Sequence, residues 1–226
     1  ADSAVRRITK VSGDIEVHFF SNDQYEVQQV DLQINDATAW WYDAQTGAAW
    51  PAQSGALQLQ PFDSRFLIVG RAMPIAGVSA DHCASRAAGI EVVDWQVPEL
   101  DGQLVDWRSN ASTTYRVAPM TYKAKVHLDK LSKAVLGLGL VHGLAEVSIN
   151  GHNVGLVSLP PFQLDVSDDL AIGDNEISIT VTPPMRNSMI KKGMDGVPQY
   201  NHMAAYADHL VAAGLMGPVS ISECAE

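Results

Sequence analysis

The seven histidines are the first side chains to test for chemistry, because imidazole serves as general base, acid and metal ligand. His202 and His209 share a face if residues 201–213 form a helix, as the spacing of Met203, Tyr206, Ala207, Leu210 and Val211 predicts, with Gly214 to end it. Seven residues rise about 10.5 Å along such a helix. A single zinc with bonds of about 2 Å does not bridge that distance. His142, before a glycine, and His152, in the NGHN turn, read as exposed loop residues. Cys83 and Cys224 sit in no CxxC or Cys/His cluster; either they pair or they remain two buried thiols. Nucleophilic catalysis and phosphate binding find no support: there is no GxSxG elbow, no GxxxxGK[ST] and no GxGxxG. The nearest glycine pattern, GLGLVHG at 137–143, lies in a strand-like run. Asp168, Asp169 and Asp174 cluster in DVSDDLAIGDNE, without EF-hand spacing. They read as a solvated turn, with a structural calcium as the alternative and no other cofactor expected. Trp40, Trp41, Trp50, Trp95, Trp107, Tyr115 and Tyr200 could stack on sugar faces, although aromatic residues in a β protein mostly build the core.

The elements that would have to position these groups are strands. Val17 and Phe19 alternate with polar neighbours, as do Val30, Leu32 and Ile34. A turn over Asp43–Gly47 separates aromatic-rich runs, and Phe66–Val69 is more continuously apolar. The predicted organisation is a small antiparallel β unit over 1–72, a linker over 73–88 rich in Ala, Gly and Ser, and a second β unit over 89–226. In the second unit strands are predicted at Ile90–Val93, Thr114–Val117, Thr121–Leu128, Ala134–Leu140, Glu146–Asn150, Phe162–Val166, Glu176–Thr182 and Pro218–Ser222. Many short strands between turn residues predict an all-β sandwich or jelly roll.

Composition sets the outer bounds. At 226 residues, 46% hydrophobic and 18% charged, the chain is long enough for one large or two smaller folded β domains. The net charge of −11 argues against a nucleic-acid partner, which requires clustered Lys and Arg. No apolar run approaches the 18 or so residues of a membrane span. The N-terminal ADSAVRRITK lacks the apolar segment of a signal peptide.

A resemblance enters at VSINGHNVGLVSLPPFQLDV, residues 147–166. Asn150-Gly151 supplies the positive φ of a tight hairpin. Gly155, Pro161-Phe162, Asp165-Val166-Ser167, Leu170, Gly173, Asn175 and Val181 follow in the order found in the galactose-binding-like jelly roll that accompanies many glycoside hydrolases. Upstream, TYKAKVHL and LGLGLVHG resemble two further strands of that module, and Trp107 resembles a tryptophan that precedes them. The ending GLMGPVSI, together with VHFFSN, WWYDAQTG and LQLQPFDSRFLIV in the first unit, resembles the C-terminal region of α-L-rhamnosidases of glycoside hydrolase family 106. Two departures are mild: Met216 stands where Leu is common, and AGL replaces SGL. KKGMDGVPQYNHMAAYAD is an unfamiliar insertion, one that could face a substrate or another domain.

The resemblance implies an all-β chain: a small antiparallel β-sandwich followed by a galactose-binding-like jelly roll with one short helix. It implies a non-catalytic part of a larger, periplasmic or extracellular, bacterial glycoside hydrolase. The partner would be a catalytic (β/α)₈ barrel of the same parent chain, since 226 residues of β units leave no room for a barrel of about 250. No catalytic residue carries over. A rhamnose-containing glycan would meet loops at one end of the jelly roll, which makes Trp107, Asn110, Asn187, Tyr200 and His202 the candidate carbohydrate-binding residues. Two alternatives remain: a free-standing carbohydrate-binding module, and a complete small hydrolase with dispersed carboxylates.

Overall fold

Period-two alternation becomes sheet throughout the computed structural model, which describes residues 5–24, 26–34, 38–42, 44, 49–59, 63–70, 89–130, 133–160 and 162–223. The described strands fall into two compact units. In the first, strands β1 (Val5–Ser12), β2 (Ile15–Asn22), β3 (Gln28–Leu32), β4 (Thr38–Tyr42), β5 (Ala49–Pro51), β6 (Gly55–Leu59) and β7 (Ser64–Gly70) form two antiparallel sheets. The larger has the order β1-β2-β7-β4-β5, and β3 pairs with β6 as a ribbon. The alternate residues Phe20, Ala39, Leu59 and Leu67 bury their side chains together, flanked by Leu32, Ile34, Trp41 and Val69.

The second unit contains β8 (Ile90–Glu91), β9 (Met120–Leu128), β10 (Ala134–Gly137), β11 (Leu140–His142), β12 (Leu144–Ile149), β13 (His152–Val157), β14 (Gln163–Asp165), β15 (Gly173–Thr182), β16 (Gly214–Gly217) and β17 (Ser220–Glu223). One sheet runs β13-β12-β15-β9, a second β14-β10-β17-β8, and β11 pairs with β16. The longest pair shows why: Met120, Tyr122, Ala124, Val126 and Leu128 all point inward from β9, opposite Ile177, Ile179 and Val181 of β15. These side chains join Leu136 of β10, Leu215 of β16 and Ile221 of β17 in one core, so the unit is an all-β sandwich. The Asn-Gly turn forms as predicted: β12 and β13 are joined by two residues with φ of 52° at Asn150 and 82° at Gly151. Asn150 does more than turn, because its side chain accepts from the Glu176 N–H and donates to Asn175.

Two expectations are corrected. Residues 201–213 do not form one helix. A 3₁₀ helix covers Pro198–Tyr206, an unforeseen α-helix, α1, covers Arg186–Met194, and residues 207–213 are irregular. The backbone of Val211 is taken by a distant side chain and is unavailable to a helix, as described below. Thr114–Val117 is a turn rather than a strand: the Thr113 and Thr114 hydroxyls and N–H groups bond back to Asn110 and Trp107 carbonyls, and these local bonds displace sheet pairing. Cys83, Cys224, Pro161, the 73–88 linker and all of the 43–47 turn except Ala44 lie outside the described residues. Among the described residues no helix is long and apolar enough to cross a membrane.

Candidate functional site

The connection from β15 to β16 is the longest departure from the sheets of the second unit, and its sequence explains how it is held. α1 buries Asn187, Ser188, Ile190 and Gly193, a face too polar to show as an amphipathic stripe. Gly193 is required by close approach: a Cβ there would lie 2.4 Å from the Tyr200 carbonyl oxygen and 2.7 Å from the Ala204 nitrogen. The 3₁₀ helix packed on it buries none of its own residues. Beyond it, the Asn187 amide donates to the Val211 carbonyl at 2.8 Å and the Thr114 carbonyl at 3.3 Å, and accepts from the Val211 N–H at 2.9 Å. Arg108 donates to the Leu210 carbonyl at 2.9 Å and ion-pairs with Asp106, whose other oxygen accepts from the Ala213 and Arg108 N–H groups. Burial acts to raise the Asp106 carboxyl, but those hydrogen bonds and the Arg108 charge outweigh it and hold it below its usual range.

The excursion therefore presents an ordered, exposed surface. Tyr206, 43% exposed, has the Arg186 guanidinium 5.1 Å from its ring centre and the His209 ring 6.5 Å away. Lys192 stands 5.0 Å over the Tyr200 ring. The Arg186 Nε is buried and has no hydrogen-bond partner. An aromatic face beside cationic donors can stack on the C–H face of a sugar ring and donate to its hydroxyls.

The five sequence candidates separate into two groups. Tyr200 and the exposed His202 lie on the excursion. Asn110 forms a turn, its side chain accepting from the Ser112 N–H and donating to the Glu99 carbonyl. Trp107 is enclosed, 1% exposed, with its indole N–H donating to the Tyr122 hydroxyl at 2.6 Å. Asn187 is buried in the clasp. Trp107 and Asn187 thus position the loop and present no open group to a ligand. His142 is also not an exposed loop residue: it is half-buried on β11, and burial, with the Arg108 charge, lowers its pKa against the pull of Asp106. Arg186 and Tyr206 were missed. Tyr206 could have been found as the aromatic neighbour of His209, had its spacing not been spent on a helical stripe.

Fold and surface together describe an all-β two-unit chain whose longest loop carries aromatic and cationic groups. No family model matches it. In sequence it is similar to a protein of Formosa agariphila named "Putative beta-glucuronidase", 27% identical over 164 residues that cover 60% of this chain and 14% of that protein. In structure it is similar to the rhamnosidase from Novosphingobium sp. PP1Y, with a TM-score of 0.66, 21% identity and coverage of 98% of this chain and 24% of that one. The chain thus spans about a seventh and about a quarter of the lengths of these two proteins.

Proposed function

We propose that this chain is a non-catalytic accessory region of a glycoside hydrolase of the α-L-rhamnosidase type. Its second unit would be a galactose-binding-like jelly roll that braces a catalytic barrel and contacts a rhamnose-containing glycan through the 183–213 excursion. The observation that carries this reading is the match of 98% of the chain to one quarter of a rhamnosidase, through both β units. The excursion supports the glycan contact, since Arg186, Tyr200, His202 and Tyr206 offer stacking faces and donors on rigid backbone. The parent enzyme would work in the periplasm or outside the cell.

The test uses the 226-residue chain in two assays, calorimetry against rhamnose-containing oligosaccharides and hydrolysis of an aryl α-L-rhamnoside. Absence of turnover, with weak binding that Tyr206→Ala reduces, is the expected result. Tight binding by the chain alone would favour the free-standing module, which the exposed aromatic groups also suit. Turnover by the chain alone would overturn the accessory reading.

A further inference from the structure

The first unit holds a cleft of about 600 Å³ that the surface above does not use. It opens between β3 and the inner face of β1, β2 and β7, where the two-stranded ribbon leaves the five-stranded sheet partly uncovered. His18, 4% exposed, is at its floor. The Arg7 Nη2 lies 3.0 Å from His18 Nδ1, and the Thr9 hydroxyl lies 2.9 Å from the same atom. A guanidinium can only donate, so Nδ1 accepts and the ring proton sits on Nε2, 3.2 Å from a Glu16 carboxylate oxygen. Arg7 is further fixed over the Phe20 ring at 5.7 Å. Arg7, His18 and Glu16 therefore order one another into a donor fork and an acceptor at set spacing. Leu32 and Ile34, which alternate with the exposed Asp31 and Gln33, give the cleft an aliphatic wall together with Val69.

We propose that this cleft binds a neutral sugar ring, a site distinct from the excursion on the second unit. The donor and acceptor set suits vicinal hydroxyls, which accept from Arg7 and donate to Glu16. The aliphatic wall suits the apolar edge of the ring. With His18 neutral, the Arg7 and Glu16 charges balance, so the cleft holds no net positive charge to favour a uronate or phosphate.

The experiment is a titration of the full, isotope-labelled chain with methyl α-L-rhamnopyranoside, which has hydroxyls and a methyl-bearing edge, followed by NMR. Expected are saturable shifts of the Leu32, Ile34 and Val69 methyl and His18 ring signals, with a Kd on the order of 1 mM. Glu16→Gln, a conservative change at an exposed position, should weaken binding at least tenfold while the unliganded spectrum stays folded. Methyl β-D-glucuronide should leave those signals in place. Absence of shifts at these residues, or equal shifts with the glucuronide, overturns the assignment. Tyr206→Ala should not alter them, so failure of the excursion as a glycan contact and failure of this cleft are separately visible.

Discussion

A single carboxamide illustrates how much of the loop's order rests on individual side chains. Asn187 satisfies both backbone groups of Val211 from 24 positions away, and Asn187→Ala would leave that N–H and C=O without their partner. An expected loss of about 2–4 kcal/mol follows from two unmet, part-buried polar groups, measurable by denaturant unfolding, together with faster exchange of the Val211 amide. Titration adds a second residue-scale prediction. Burial and the Arg7 charge lower the pKa of His18, and burial lowers that of His142, so both are neutral in the fold and take up protons more readily once unfolded. Their contribution is present above the unfolded value of 6.5 and is lost as pH falls through the folded values. His127 opposes this: its hydrogen bond to Asp174 raises its pKa, giving stability below 6.5 that is lost as pH rises, but it is fully exposed. Acidification from neutral pH to about pH 5 should therefore lower the thermal midpoint, and His18→Gln should flatten the dependence. A midpoint that rises, or an unchanged slope in the variant, contradicts the assignment.

At the scale of elements, α1 and the 3₁₀ helix are held close by a missing side chain. Gly193→Ala would drive a methyl into the Tyr200 carbonyl, so the two helices should part while the sheets persist. Hydrogen exchange should then rise over residues 186–206 and stay unchanged over β9, β12 and β15. Sheet was legible in the sequence for a plain reason. The inward row of β9 is apolar at every second position, as is that of β15 from Ile177 to Val181, and Asn150-Gly151 admits one kind of turn. α1 was illegible because three of the four residues it buries, Asn187, Ser188 and Gly193, are not apolar. The helix expected over 201–213 failed on a partner remote in sequence, since Asn187 claims the Val211 backbone that the local spacing assigned to a helical turn. Trp107 and Asn187 looked like site residues by type, yet burial against Tyr122 and Val211 decides their role, and neither partner is a sequence neighbour.

At the scale of the molecule, the two units differ in what holds them. The first clusters only Phe20, Ala39, Leu59 and Leu67 as buried apolar side chains among the described residues, with Ala49 and Ile68 buried outside that cluster. At about 1.5–3 kcal/mol for each large side chain, they offer little against the entropy of ordering seven strands. The second unit joins its three sheets through one continuous core, including Trp107, Tyr122, Leu136, Ile149, Ile177, Ile179 and Leu215. Calorimetry of the chain should accordingly resolve two transitions, the lower belonging to the first unit, and residues 89–226 expressed alone should retain the upper one. A ligand that binds only the folded first unit shifts only the lower transition. In the Tyr206→Ala chain, where the excursion contact is removed, methyl α-L-rhamnopyranoside at 100 times its Kd should stabilise that unit by about 2.7 kcal/mol and leave the upper midpoint unchanged. Movement of the upper transition instead would place the bound sugar on the second unit, and a lower transition unmoved at saturation would remove the cleft from the account of what this chain binds.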